Sequence, residues 1–470
     1  MYLVKLHLKR KGNTLYIQIK NHFTCMILLG VVAQFTAIFT HAGILDISSK
    51  EIVNAPKSNK TNDKEEFQQK NQETAENFNP ITTEINNGGF RAKSADGNFT
   101  LDLGGRIQVD FISLSGVQNL DTDRGDLRRL RLNITGTLYK VWDYRFESDF
   151  GGNDFTDNFG INNPVLTYGF FKFTGFNPVN FTFGYQRVPV SMESIVGSNW
   201  TTFQERSLAN SLINNEVIGR RRLGLVMEAS GDQWTHWTAQ TGFYGAGFNN
   251  IMESAENWGA SGRVTFAPIV NPSQVIHIGG STYYRNFTND PSLDFSVSPE
   301  SHLSPNFIGT NLIPGAQNTL LLQGELSTVW GAFHAQSEYL YTQIERKSSL
   351  SQPHFNGWYT QAGYFLTGES RNYIPRKGAY GQTNPNHPMD QGGWGAWEVA
   401  ARYSTINLNS QGIYGGEENN FTFGINWWAT HNTLFRANYV HAMANSHNSL
   451  ARSHKKFNAD IFMMRAQLNF

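Results

Sequence analysis

Apolar and polar residues alternate with period two in one run after another from about residue 89 to the C-terminus. Residues 100–111 read TLDLGGRIQVDF and set Leu101, Leu103, Ile107, Val109 and Phe111 against Asp102, Arg106, Gln108 and Asp110. In LRRLRLNITGTL, Leu130, Leu132, Ile134 and Leu138 alternate with Arg129, Arg131, Asn133 and Thr135, and in DYRFESDF the aromatics Tyr144, Phe146 and Phe150 alternate with Arg145, Glu147 and Asp149. The last thirteen residues, NADIFMMRAQLNF, place Phe462, Met464, Ala466 and Leu468 opposite Met463, Arg465, Gln467 and Asn469. Each run predicts a strand with two unlike environments. With further runs near 165–173, 181–188, 220–229, 234–244, 258–266, 275–285, 320–329, 333–343, 357–366, 397–407, 421–428 and 434–441, the strands number sixteen.

A soluble sandwich and a membrane barrel both produce this alternation, and the polar face, with Arg and Asp recurring strand after strand, suits a wet lumen as well as an aqueous exterior. The ends of the chain decide. Lys5, Lys9, Arg10, Lys11 and Lys20 precede the mostly apolar stretch 26–39, no acid occurs before Asp46, and Thr40-His41-Ala42 offers a small-residue cleavage site before Gly43. That is a secretory leader, too short to span a bilayer, which takes roughly 20 apolar residues. At the other end, the terminal Phe470 is how outer-membrane barrels commonly finish. The expected fold is therefore all-β, a transmembrane antiparallel β-barrel of about 16 strands with a flexible N-terminal extension. The divisions are a signal peptide at 1–42, a polar periplasmic extension at 43–88, too poor in apolar residues to offset chain ordering, and a barrel at 89–470.

Composition agrees once the leader is set aside. The single cysteine, Cys25, leaves with it, so no disulfide or thiolate site is expected. Five basic residues leave as well, and the remaining 33 Lys and Arg against 38 Asp and Glu do not suit a nucleic-acid partner. A mean hydropathy of −0.41 does not argue against a barrel, in which only alternate residues meet lipid. The 34 Phe, 18 Tyr and 11 Trp suit strands and interfacial girdles. Short connections near 139–143, 175–179, 230–233 and 267–273 alternate with long ones, as barrels with short turns below and long loops above require. Parity breaks once, at 367–395: either the count slips by a strand, or an unusually long turn folds up into the lumen.

Fixed cations at a narrowing would make such a barrel favour anions, and Arg suits that role because its planar fork stays charged and binds two oxygens at once. Arg129 and Arg131 open the second strand. Arg220 and Arg222 follow the long segment 189–219, which carries Trp200 and Arg206 and is the candidate constriction; Arg371, Arg376 and Lys377 lie in the anomalous turn. For any single Arg the competing reading is a structural ion pair with a lumen-facing acid such as Asp110, Glu147, Glu325 or Glu398. No metal-ligand spacing, G-x-S-x-G or HExxH occurs, so neither an enzyme nor a cofactor is expected.

GGRIQVD, RRLRLNITGTLYKVWDYRFESDF, FGYQRVPVSMES, TTFQERS, LTGESRNY and GAWEVAARYSTINL resemble the phosphate-selective porin O and P family. The resemblance covers about 89–470. It implies a homotrimer in outer-membrane lipid and lipopolysaccharide, with a pore narrowed by inward loops and lined by Arg and Lys that pass small anions such as phosphate. The barrel region itself holds 28 basic and 30 acidic residues, which argues against strict specificity. The alternative is a barrel that anchors surface loops as a structural protein or adhesin and conducts little.

Overall fold

The computed structural model describes residues 8–11, 14–17, 80–86, 89–117, 121–151, 164–213, 219–245, 258–447 and 456–470. The chain divides into two units, 1–78 and 79–470. In the first, Leu8–Lys11 and Thr14–Ile17 pair as a short antiparallel hairpin within the stretch read as a leader; the rest of that leader and the extension up to residue 79 lie outside the described residues.

The second unit is a closed antiparallel barrel of sixteen strands. In order they are β1 (Phe99–Ser115), β2 (Thr122–Leu138), β3 (Trp142–Asp149), β4 (Val165–Phe176), β5 (Val179–Arg187), β6 (Arg221–Gly231), β7 (His236–Tyr244) and β8 (Trp258–Asn271). There follow β9 (Gln274–Asn286), β10 (Ala316–Trp330), β11 (Phe333–Arg346), β12 (His354–Phe365), β13 (Ala396–Ser410), β14 (Ile413–Trp428), β15 (Thr433–Asn445) and β16 (Lys456–Asn469). Each pairs with its chain neighbours, and β16 closes onto β1 from Asp460 opposite Ser115 to Asn469 opposite Arg106. Closure satisfies every edge that hydrocarbon would leave unpaired.

The period-two pattern sorts side chains as its chemistry demands. Phe462, Met464 and Leu468 of β16 face outward while Met463, Arg465 and Gln467 are buried inside, and Phe111, Leu132, Phe146, Leu326 and Phe423 likewise face outward. Aromatics gather near both rims. Trp142 packs on Phe173 and Trp397 on Trp427 beside the short turns, and Trp258 packs on Tyr284 toward the other end. Such belts mark the two interfaces of a bilayer.

The seam uses the terminal residue. The Phe470 N–H donates to the Gly105 carbonyl (3.0 Å), and the Gly105 N–H donates back (2.7 Å). A Cβ at Gly105 would lie 2.6 Å from the Phe470 ring, so glycine is what lets the last residue dock. Beyond it the edge of β1 is covered by a hairpin, Ile81–Asn86 and Gly89–Ser94, whose second strand pairs Phe90 with Leu103. Its first strand falls in the stretch read as extension.

The strand count holds, so the long connection 366–395 is a turn that folds into the lumen. It is fastened there by Arg263 on β8, which donates to the Gly378 (2.6 Å) and Lys377 (3.1 Å) carbonyls, and by Tyr373 hydrogen-bonded to His277 (2.7 Å). Residues 188–213 and 287–315, following β5 and β9, also turn inward, and Leu208, Leu212, Phe295, Phe307 and Ile313 join one buried apolar cluster with inward-facing Leu321, Leu340 and Phe355.

Candidate functional site

The inserted segments leave a cavity of about 990 Å³ inside the barrel. Its wall comes from β1 to β6 with Gln240 of β7, its ceiling from Val188, Pro189, Ile195, Gly197, Asn199 and Trp200, and its opposite side from residues 374–382.

The ceiling is fixed by its backbone. Ser191, with φ 65°, precedes the one-turn helix Met192–Ile195 and caps it by accepting from the Ser194 N–H. The first N–H groups of that turn donate to wall carboxylates, Met192 to Glu325 (2.9 Å) and Glu193 to Glu338 (2.7 Å). Arg206 donates to the carbonyls of Glu193 (2.9 Å) and Val196 (2.8 Å) and staples the turn to the rest of its segment. Burial pushes the Glu193 carboxyl up, against the pull of Arg402 and a Ser207 hydrogen bond. Burial would raise Glu205 too, but Arg128 and Arg465 hold it well below the usual carboxylate range.

On the opposite side a 3-10 turn, Pro375–Lys377, ends at Gly378 in the left-handed region (φ 54°), where a Cβ would meet Thr265 Oγ1 at 2.6 Å. That ending turns two carbonyls toward Arg263 and leaves Arg376 and Lys377 exposed to the cavity. Enclosure by the barrel, with Arg145 and Arg376 nearby, pushes the Lys377 ammonium below its ordinary value.

Eight cationic side chains line the space, Arg91, Arg106, Arg131, Arg145, Lys172, Arg187, Arg376 and Lys377, against four carboxylates, Asp102, Asp143, Glu147 and Glu228. Arg91 pairs with Asp102 (2.5 Å), Arg131 with Glu147 (2.9 Å) and Asp149 (2.5 Å), Arg145 with Glu147 (2.5 Å), and Lys172 with Glu228. Arg187 donates to the carbonyls of Ser194 (2.6 Å) and Ile195 (2.8 Å). Arg106, Arg376 and Lys377 make no ion pair among the described residues. Tyr168 lies among the cations, with Arg145 4.3 Å and Arg221 5.1 Å from its ring centre.

Of the residues singled out from sequence, Arg131, Arg376 and Lys377 line this cavity; the other five are placed elsewhere. Arg129 donates to Gln108 (2.8 Å), and Arg371 donates to Gln336 (3.0 Å) and stacks over Tyr380 (3.8 Å). Arg206 is the staple above. Arg220 is enclosed, and burial followed by the charges of Arg206, Arg221 and Arg187 pushes its pKa well below the ordinary value. Arg222 lies against Gly219 and next to Tyr283. Sequence reasoning missed Lys172, although its alternation with Phe171 and Phe173 points it inward. It also missed Arg187, the last residue of β5, where the chain bends into the lumen and parity stops applying.

A closed barrel with an apolar belt and a constricted, charged interior is an outer-membrane porin. The chain belongs to the phosphate-selective porin O and P family, whose model matches residues 101–470. It is 26% identical over 420 residues to Porin O of Pseudomonas aeruginosa, covering 82% of this chain and 91% of that protein. An uncharacterized protein of Caulobacter vibrioides is 27% identical over 385 residues, 78% of this chain and 73% of its own length. Among solved structures, the anion-selective porin from Comamonas acidovorans superposes with a TM-score of 0.51 at 11% identity, covering 79% of this chain and 100% of that one. OmpT of Vibrio cholerae gives 0.50 at 10% identity, covering 79% and 98%. At such identities these two establish the shared barrel fold.

Proposed function

We propose that this porin favours anions, with phosphate among those it passes, and that the cavity beneath residues 188–200 is its selectivity region. The observation that carries the reading is the charge of the wall, eight cations against four carboxylates. Three of those acids are already taken by Arg91, Arg131, Arg145 and Lys172, so the surplus is presented by Arg106, Arg376 and Lys377. Within about 8 Å, the screening length at physiological salt, such groups enrich anions and repel cations. In this reading Arg106, Arg376 and Lys377 present free charge to the anion and Arg131 lines its path within an ion pair, while Arg129, Arg206, Arg220, Arg222 and Arg371 act by holding the segments that shape that path. The chain reaches the outer membrane behind a cleaved leader at 1–42, assembles as a homotrimer and meets lipid and lipopolysaccharide with its apolar belt; no catalytic step is involved.

Reversal potentials across a planar bilayer with a KCl gradient test this. An anion-favouring value, and chloride current reduced by added phosphate, are expected; a cation-favouring value sinks the claim. The apolar packing of residues 208–213 and 293–313 within the barrel favours a second reading, a surface anchor of very low conductance. It predicts no steady current in the same bilayer.

A further inference from the structure

Where the segment 287–315 meets β14, the chemistry is the reverse of the cavity's. Glu418 and Asn420 lie two residues apart on the lumen face of β14 and are completely buried. Both Glu418 carboxylate oxygens, and both polar atoms of the Asn420 amide, have no hydrogen-bond partner of ordinary geometry. Asn420 stands beside Glu418, and the next carboxylate is that of Glu300 from the inserted segment. Glu300 is itself fixed by Thr422 (2.5 Å), Ser404 (2.5 Å) and Arg402 (2.6 Å). Arg402 is already shared, since it also pairs with Glu193 (3.3 Å). Glu193 and Glu300 thus share one guanidinium, and Glu418 has no cation of its own among the described residues.

An ionised carboxylate taken out of water without a partner is far too costly to persist, so something positive must compensate Glu418 or it must carry a proton. The oxygens left without a partner here are the two of the Glu418 carboxylate and the Asn420 amide carbonyl. Carboxylate oxygens, an amide carbonyl and water are ligands of a hard cation. We propose that Glu418 and Asn420 hold a calcium-type divalent cation that fastens the inserted segment to the barrel wall. The place fits that role, because a Cβ at Gly415 or Gly416 would strike Thr310 (2.8 Å) or Ile308 (2.9 Å) of the same segment, so the two surfaces are already in contact there. A second group with the right residue types, Asp110, Glu205 and His302, is a poorer candidate. Arg465 already binds Asp110 (2.6 Å) and Glu205 (2.9 Å), and Arg128 binds Glu205 (3.1 Å), so the carboxylates are taken and a cation would face two guanidiniums.

The test is binding of Tb³⁺ to the purified full-length porin in detergent free of lipopolysaccharide, read by aromatic-sensitised luminescence and reversed by Ca²⁺. Saturable binding of one ion per chain is expected, weakened at least roughly tenfold in Glu418→Gln and unchanged in His302→Ala. If Glu418→Gln fails to fold, Asn420→Asp keeps the question open, because an added carboxylate should tighten binding several-fold. No saturable binding by the wild type overturns the proposal. So does binding that survives Glu418→Gln, that is lost in His302→Ala, or that Asn420→Asp leaves unchanged; a Glu418 that carries a proton gives the first of these results.

Discussion

Two regions of one lumen have opposite fates. Along β1 to β6, toward the short turns, inward-facing Arg131, Glu147, Lys172 and Glu228 border open space, and most of their charges meet across neighbouring strands. Toward the long loops and along β9 to β16, inward-facing Leu321, Leu340, Phe355 and Leu408 meet Leu208, Leu212, Phe307 and Ile313 of the inserted segments in a dry cluster. The outward faces of both regions are alike. Lumen-facing position therefore does not by itself mean contact with water: what decides is whether an inserted segment supplies an apolar surface to cover the position. Full burial of a Leu or Phe side chain stabilises by about 1.5–3 kcal/mol, so a handful of such contacts can hold a segment that no strand pairing secures.

The comparison breaks most severely at Arg402, whose guanidinium, alone among the described residues, pairs with both Glu193 of one inserted segment and Glu300 of the other. Arg402→Ala strands both carboxylates, and loss of one partner from a buried pair costs about 3–5 kcal/mol. The denaturant midpoint should fall and single-channel conductance should rise as the packed side loosens; a variant as stable as wild type would refute the idea that this residue ties the segments. Next comes the apolar contact itself. Leu212 is fully buried, and Leu212→Ala should cost about 2–5 kcal/mol while leaving the reversal potential unchanged, since no charge of the cavity is touched.

Charge reversal on the wet side should do the opposite. Arg376→Glu with Lys377→Glu alters a solvated turn, so stability should hardly move. A unit charge at about 8 Å in water contributes roughly 0.5 kcal/mol before screening, so four units of change should lower the anion-to-cation permeability ratio roughly threefold or more at 0.1 M salt. A ratio unchanged by the double variant would place selectivity elsewhere.

How much of this was legible follows from the range over which each signal acts. Strand alternation is local, and both Phe462 to Leu468 and the count of sixteen could be read directly. The inward turn of 366–395 could be posed as an alternative because parity is a counting argument. Pairings made through the lumen could not be read: Glu300 finds Arg402 a hundred positions later, and nothing in either neighbourhood announces the other. Arg222 and Arg376 look equally free in the sequence, yet Gly378 turns the residues just before it into the cavity, whereas Gly219 lies against the Arg222 guanidinium. Clustered cations revealed a basic interior. The backbone at a few glycines decides which of them faces the cavity.

The mildest perturbation is pH, and it separates the two regions without any substitution. Enclosure and the neighbouring Arg145 and Arg376 lower the pKa of Lys377, so its charge is lost as pH rises through a range beginning below the ordinary lysine value of about 10.4. Lys377 is only one of the eight cations on the cavity wall. Anion preference should therefore decline by a fraction of its neutral-pH value while conductance persists. Stability should move the other way: over that window the unfolded chain binds the proton that the folded one has released, so this group makes folding more favourable as pH rises. Opposite slopes for selectivity and stability, both abolished in Lys377→Gln and with the selectivity slope removed in Lys377→Arg, are the expected signature. Parallel slopes would mean that alkaline pH acts through the packed side instead.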